Sequence, residues 1–326
     1  MQDFDKVYNE FYNSIQNKLF EIANNTNPKS LRDPFIYLIE NGGKRLRSIT
    51  TMLAAGAVGG NPYDALECGV SLEILHNFTL VHDDIMDSAP LRRGKETVHI
   101  KWNIPTGILV GDIMIGYACQ LVPKDDKIVN RLKLQELFME SLIVVCEGQA
   151  LDMDYNVRRD IIADNYLDMI GKKTANLIRT SILMGAYCGN ATPEQISLLE
   201  EFSFNLGLAF QIQDDYLDLT SSESGKVIGQ DLIEGKKTYM IIRAKDLAQT
   251  PNDKELMEMF YKNNGATEDQ VNDILEMLER LNIFKEAQEL FNNYYELAEN
   301  ALNKLQQNDY TLHLKKILDQ TKNRKH

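Results

Sequence analysis

The chain has little of what breaks helices: eight prolines and 19 glycines among 326 residues. That scarcity excludes collagen-like and proline/glycine-rich disordered classes. Its four cysteines, Cys68, Cys119, Cys146 and Cys188, are widely spaced and form no CxxC pair. They are expected to be free buried thiols in a reducing, cytoplasmic setting. The chain also lacks positive charge overall: 35 Lys and Arg stand against 48 Asp and Glu, a net charge of −13. A general nucleic-acid binder is thereby excluded, and anionic membranes are a poor ligand. An anionic substrate would need a local basic cluster. Met1–Asp5 is acidic and has no signal-peptide core. The longest mostly apolar stretch, Thr106 to Val122, is interrupted by Asp112 and holds Gly107, Gly111 and Gly116. It is expected to be a buried helix rather than a membrane segment.

What is present is a globular composition, 44% hydrophobic and 25% charged, long enough for a sizeable core without disulfides or a structural metal. Helical periodicity dominates, and few stretches alternate Val, Ile and Thr. Helix starts are marked by Asn61-Pro62, by Thr192-Pro193-Glu194-Gln195, and by Thr267 with Gln270. Asn24–Ser30, Pro123–Lys127, Thr220–Gly229 and Gln249–Lys254 read as loops, none long enough for a flexible linker. The expectation is one all-α domain over residues 1–326, with about ten or more helices.

One five-residue acidic pattern occurs twice, as Asp83-Asp84-Ile85-Met86-Asp87 and as Asp214-Asp215-Tyr216-Leu217-Asp218. Each falls late in an amphipathic helix. Residues four apart share a helix face, so Asp83 aligns with Asp87 and Asp214 with Asp218. Like charges stacked this way, near the negative end of the helix dipole, need a compensating cation. Hard divalent ions such as Mg²⁺ prefer carboxylate oxygens and keep positions for phosphate oxygens. The spacing is wrong for an EF-hand.

Cations flank these patterns. Gly42-Gly43-Lys44-Arg45-Leu46-Arg47 places a tight turn and a basic helix start before the apolar run Ile49–Val58, an arrangement that suits a diphosphate. Arg92-Arg93-Gly94 follows the first pattern, either as its salt-bridge partners or as a grip on the same phosphates. Lys172-Lys173-Thr174 follows Gly171 within a helix, where a local irregularity is expected. Lys226 and Lys236-Lys237 follow the second pattern. The basic tail, Lys315-Lys316 and Lys322–His326, reads as a solvated helix end.

In order and spacing, these elements resemble the trans-type isoprenyl diphosphate synthases. The resemblance runs from Gly42 to about Thr238 and includes His76, Gly148-Gln149 with Asp152, and Phe210-Gln211. It implies antiparallel helices around a deep central cavity, and a homodimer. Mg²⁺, about three ions with substrate bound and replaceable by Mn²⁺, would be held by Asp83, Asp87 and Asp214. Asp84, Asp215 and Asp218 would support them. Allylic diphosphate would be held with Arg92, Lys173, Lys226 and Lys236. Isopentenyl diphosphate would be held by Lys44, Arg47, His76 and Arg93. The oxygens of Thr174 and Gln211 would face an allylic carbocation, and the departing diphosphate would take the proton. No protein base is then needed, and no Ser/His/Asp or Cys/His arrangement is evident.

Two residues compete for the floor of the product pocket. Helix geometry favours Thr79, one turn before Asp83 on the same face. The resemblance favours Phe78, five places before the first aspartate. With Phe78 present and Thr79 small, the pattern most resembles synthases making a twenty-carbon product, which implies geranylgeranyl diphosphate, with farnesyl diphosphate the near alternative. A terpene cyclase and a non-catalytic synthase subunit are the competing classes. The intact second acidic pattern and the Lys44, Arg47 and His76 set argue against both.

Overall fold

The computed structural model describes residues 3–122, 130–221 and 228–324. The all-α expectation holds. The helices are α1 (Phe4–Asn24), α2 (Lys29–Glu40), α3 (Leu46–Ala57), α4 (Leu66–Met86), α5 (Val98–Lys101), α6 (Ile104–Leu121), α7 (Arg131–Val157) and α8 (Ala163–Ile170). They continue through α9 (Asn176–Cys188), α10 (Pro193–Thr220), α11 (Gln230–Ile233) and α12 (Tyr239–Leu247). The last four are α13 (Pro251–Asn263), α14 (Glu268–Arg280), α15 (Ile283–Asn303) and α16 (Asp309–Lys322). The only sheet among the described residues is a hairpin of β1 (Leu91–Arg92) and β2 (Lys95–Glu96). Its turn residues Arg93 and Gly94 both have positive φ, 54° and 74°, as the turn that matches strand twist requires. An arginine in the first turn position conceals this hairpin in the sequence.

The caps read from sequence form. Asn61 accepts from the Tyr63 amide at 3.3 Å and opens a single 3₁₀ turn before α4. The Thr192–Gln195 box closes in both directions, and at Thr267 the Gln270 side chain accepts from the Thr267 amide at 3.0 Å. Gln249–Lys254 differs from expectation: Thr250 Oγ1 accepts from the Asp253 amide at 3.1 Å, so α13 begins inside that stretch. The loop read at Pro123–Lys127 lies outside the described residues, as does 222–227.

The chain gathers into two compact units. Unit 1 comprises Met1–Leu142, Leu177–Glu200 and Leu302–Lys315; unit 2 comprises Ile143–Asn176, Glu201–Ala301 and Lys316–His326. In unit 1, α1 buries Val7, Phe11, Ile15, Leu19 and Ala23, a stripe at helical spacing. Each large side chain so buried is worth about 1.5–3 kcal/mol. Helix α4 is buried on nearly every side, through Cys68, Val70, Leu72, Ile74, Leu75 and Phe78. It is a rigid post that carries the first acidic pattern at its end. In unit 2, α8 runs into a π-helical turn, Gly171–Ala175, which is the irregularity expected after Gly171. The turn is pressed against α7 at Gly148, where a β-carbon would overlap the Lys173 amide.

Two expectations fail. Helix α6 is long and apolar enough to cross a membrane, yet only 28% of it is buried. Ile104, Ile108 and Leu109 lie exposed on it, so it is not the buried helix anticipated. All four cysteines are free, but Cys119 and Cys146 are exposed; only Cys68 and Cys188 are buried.

Candidate active site

Unit 1 carries the four residues expected to hold one diphosphate and brings three of them, Arg47, His76 and Arg93, close together. Arg45 sits in the left-handed region, at φ 50°. Its buried guanidinium pairs with Glu73 at 3.0 Å, with Gln16 Oε1 at 3.1 Å and with the Ile39 carbonyl at 2.8 Å. Arg45 is therefore an inward anchor within the basic run that also holds Lys44 and Arg47. Tyr8 pins the loop by donating to the Lys44 carbonyl at 2.6 Å. Arg47 Nη1 lies 3.0 Å from His76 Nε2. Arginine can only donate, so Nε2 accepts and the imidazole is neutral. Burial, and then Arg47, Arg93, Arg92 and Arg45, hold His76 well below its usual range. Arg47 Nε is buried without a hydrogen-bond partner among the described residues. Arg93 donates to the Gly42 carbonyl, its guanidinium lying against Gly43. A guanidinium with one buried, unpartnered N–H, beside a neutral imidazole and the further cation Arg93, is suited to an anion.

The first acidic pattern lies in the same unit. Asp83 lies in the last turn of α4 and Asp87 caps it. Asp84 points inward and is buried, accepting from Arg92 Nε at 2.8 Å. Burial raises its carboxyl and Arg92 opposes the rise. Arg92 Nη2 is also 3.8 Å from Asp83 Oδ2. The hairpin thus sends Arg92 to the carboxylates and Arg93 to the basic loop. Arg92 is a salt-bridge partner here, as the plainer of the two sequence readings has it.

Unit 2 carries the second pattern inside α10. Thr174, on the π-turn, donates to Gln211 Oε1 at 2.8 Å. Gln211 Nε2 donates to Asp215 Oδ1 at 2.8 Å, and the Tyr166 hydroxyl donates to Asp215 Oδ2 at 2.6 Å. Burial, and then Asp231, push Asp215 well above the usual carboxylate range. Asp215 therefore sets the orientation of the Gln211 amide, which leaves carbonyl and hydroxyl lone pairs together at Gln211 and Thr174. Asp218 Oδ2 accepts from the Asp231 amide at 3.0 Å and so caps α11. Lys173 pairs with Asp152 at 2.5 Å, and Lys236 with Asp231 at 2.7 Å and Glu234 at 3.2 Å. Lys226 lies outside the described residues.

Asp214 is 57% exposed and pairs with Arg324 at 3.1 Å. Arg324 also donates to Gln213 Oε1 at 3.1 Å and to the Phe210 carbonyl at 2.7 Å, and stacks 4.0 Å over the Phe210 ring. The tail expected to be a solvated helix end instead folds back onto α10 at this arginine. Sequence reading missed Arg324, Tyr166 and the Arg45 anchor. Only Tyr166 leaves a trace: it stands two helical turns before Lys173, on the same face.

Within each unit the acidic pattern offers oxygen donors of the kind a hard divalent cation takes. Asp83 and Asp87 share one helix face, and Asp214 presents an exposed carboxylate, all of them oxygen ligands. No group of three or more His, Cys, Asp or Glu side chains able to hold a metal occurs among the described residues. Waters and phosphate oxygens would have to complete the coordination.

Comparison with known proteins follows the same lines. A family model for polyprenyl synthetase matches residues 28–278. A short chain isoprenyl diphosphate synthase of Methanothermobacter thermautotrophicus is 33% identical over the full length of both chains. A geranylgeranyl diphosphate synthase of Sulfolobus acidocaldarius is 36% identical, over 94% of this chain and 93% of its own. The crystal structure of a geranylgeranyl pyrophosphate synthetase from Pyrococcus horikoshii superposes with a TM-score of 0.91 at 28% identity. It covers 99% of this chain and 100% of its own.

Proposed function

The chain belongs to the polyprenyl synthetase family, and from that premise we propose that it condenses isopentenyl diphosphate head-to-tail with dimethylallyl, geranyl and farnesyl diphosphates, with geranylgeranyl diphosphate the main product. It is a prenyltransferase enzyme. The observation that carries the assignment of roles is the β1–β2 hairpin. Its adjacent arginines reach in two directions: Arg92 to Asp84 and Arg93 to the carbonyl of Gly42. One short element thereby ties a carboxylate row to an anion pocket, as two diphosphate substrates require.

In this reading Lys44, Arg47, His76 and Arg93 hold isopentenyl diphosphate. Arg92, Lys173, Lys226 and Lys236 hold the allylic diphosphate, and Asp83, Asp87 and Asp214 hold magnesium. Magnesium, when bound, neutralises the leaving diphosphate. The C1–O bond of the allylic substrate breaks and its electron pair departs with diphosphate. The isopentenyl double bond then attacks C1, and a proton is lost to the diphosphate. Gln211 Oε1 and Thr174 Oγ1 offer oxygen dipoles to the transient cation, held ready by Asp215 and Tyr166. Neutral His76 accepts from Arg47, so that guanidinium is oriented before substrate arrives. Asp84 and Asp215 brace the carboxylate rows, and Asp218 caps α11; none of the three is free to serve as a primary metal ligand.

The twenty-carbon product is supported by Phe78 with the small Thr79 above it, and by the likeness to geranylgeranyl diphosphate synthases. We take the working form to be a cytoplasmic homodimer. The exposed Ile104, Ile108 and Leu109 of α6 form an apolar face suited to burial against a second copy.

The test is incubation of the purified chain with magnesium and each allylic starter, with and without isopentenyl diphosphate, followed by chromatography of the dephosphorylated products. Geranylgeraniol is expected only when isopentenyl diphosphate is present. Farnesol as the end product would revise the chain length. Cyclic hydrocarbon from the allylic diphosphate alone would make the protein a terpene cyclase instead.

A further inference from the structure

The Phe78 ring is 6% exposed and meets the His82 ring edge to face, with centroids 4.7 Å apart. Side chains on a helix lean toward its N-terminus, so residue 82 covers residue 78 one turn below. His82 is itself held from outside α4. Its Nε2 lies 3.2 Å from the Ile108 carbonyl on α6. A carbonyl only accepts, so Nε2 carries the hydrogen. The imidazole rests on Gly111, also on α6, where any β-carbon would overlap Nε2. A three-part stack runs from the α6 backbone through His82 to Phe78, all within unit 1.

We propose that His82, seated on α6 by Gly111, fixes the orientation of the Phe78 ring and is thereby a positioning residue for product length. The proposal rests on the reading of Phe78 as the pocket floor. A floor built from one aromatic ring limits chain length only while the ring cannot swing. Phe78 is prevented from swinging toward the acidic end of α4 by the imidazole above it. The imidazole is prevented from lifting by a hydrogen bond to backbone that cannot move independently of α6. Gly111 leaves room for that seat, and any larger residue would push the ring off it.

The experiment compares product spectra, not rates, because His82 adjoins Asp83. Phe78→Ala, His82→Ala, Gly111→Ala and the double variant His82→Ala/Gly111→Ala are each supplied with dimethylallyl and isopentenyl diphosphates. Phe78→Ala is expected to lengthen the product. Loss of the edge-to-face pair should raise the share of chains longer than the wild-type main product by roughly fivefold in His82→Ala. Gly111→Ala should do the same, and the double variant should match His82→Ala alone, because Gly111 acts through the imidazole. If Gly111→Ala does not fold, the double variant, in which the ring is gone, removes the overlap and supplies the comparison. A wild-type spectrum from His82→Ala alongside a lengthened one from Phe78→Ala overturns the proposal and leaves the floor reading intact. A wild-type spectrum from Phe78→Ala overturns the floor reading itself.

Discussion

The two acidic patterns read alike in sequence and are wired differently. In the first, Asp84 is held by a charged partner, Arg92, whose side chain is 37% exposed. In the second, Asp215 is held by uncharged donors, Tyr166 and Gln211, and is fully internal to unit 2. The first ends its helix, and Asp87 caps α4. The second lies before the end of its helix, and Asp218 caps the next one, α11. The cation beside Asp83 comes from the adjoining hairpin, whereas the cation beside Asp214 comes from the tail, 110 residues later. What they share is a division of labour. The middle aspartate turns inward as a brace, and the first aspartate of each pattern meets an arginine, Asp83 with Arg92 and Asp214 with Arg324. A repeated motif therefore repeats the exposed chemistry and leaves each support to local circumstance.

The largest effect should fall equally on both patterns. Asp83→Ala and Asp214→Ala are each expected to lower turnover at least ~10³-fold, because metal-assisted charge neutralisation is worth several kcal/mol. Thermal stability should scarcely change in Asp214→Ala, whose side chain is 57% exposed, and should change somewhat more in Asp83→Ala, whose side chain is 19% exposed. Wild-type turnover at saturating Mg²⁺ in either variant would contradict the shared role.

The middle aspartates should then separate. Asp215→Ala strands the Tyr166 hydroxyl and the Gln211 amide, at a cost of about 1–3 kcal/mol, and should lower Tm by roughly 3–6 °C. Asp84→Ala should lower Tm by about half as much or less, because water reaches Arg92 once its partner is gone. Equal losses in calorimetry would erase the distinction drawn between charged and uncharged supports.

Arg324→Ala probes the remote cation. The ion pair, with Asp214 57% exposed, should contribute about 1 kcal/mol or less, and the bonds to Gln213 Oε1 and the Phe210 carbonyl about 1 kcal/mol each. The variant should melt roughly 2–5 °C below wild type. A far larger drop would mean that the tail is part of the unit 2 core.

An effect of a different kind is a pH dependence in unit 2. Burial between Phe260 and Tyr261 lowers Lys237 from 10.5 to about 8. The folded state then binds fewer protons than the unfolded state between those values, so stability gained by deprotonation accrues as pH rises from about 8 to about 10.5. Lys237→Met lacks that gain. The Tm of wild type minus that of the variant should therefore grow with pH across this window, and a flat difference would place the amine in water.

Much of the site was legible because its chemistry is local. The Asp83/Asp87 and Asp214/Asp218 alignments follow from helix geometry alone, and the π-turn at Lys173 was signalled by Gly171. The supports were not legible, because they arise from residues far apart in the chain: Tyr166 with Asp215, Glu73 with Arg45, Arg324 with Asp214. Arg45 stands between Lys44 and Arg47 in one basic run, and only the structure, with its backbone at φ 50°, reveals that its guanidinium is spent on Glu73 and Gln16. Helix α6 misled for a related reason. Its composition is that of a core helix, and an exposed apolar face is indistinguishable in sequence from a buried one.

The most direct test is a crystal structure of the protein with Mg²⁺ and an unreactive allylic diphosphate analogue. The account expects ions bridging the diphosphate to Asp83, Asp87 and Asp214, with Asp84 and Asp215 still on Arg92 and Tyr166. A diphosphate bound by lysines and arginines alone, with no ion on those three carboxylates, would contradict it.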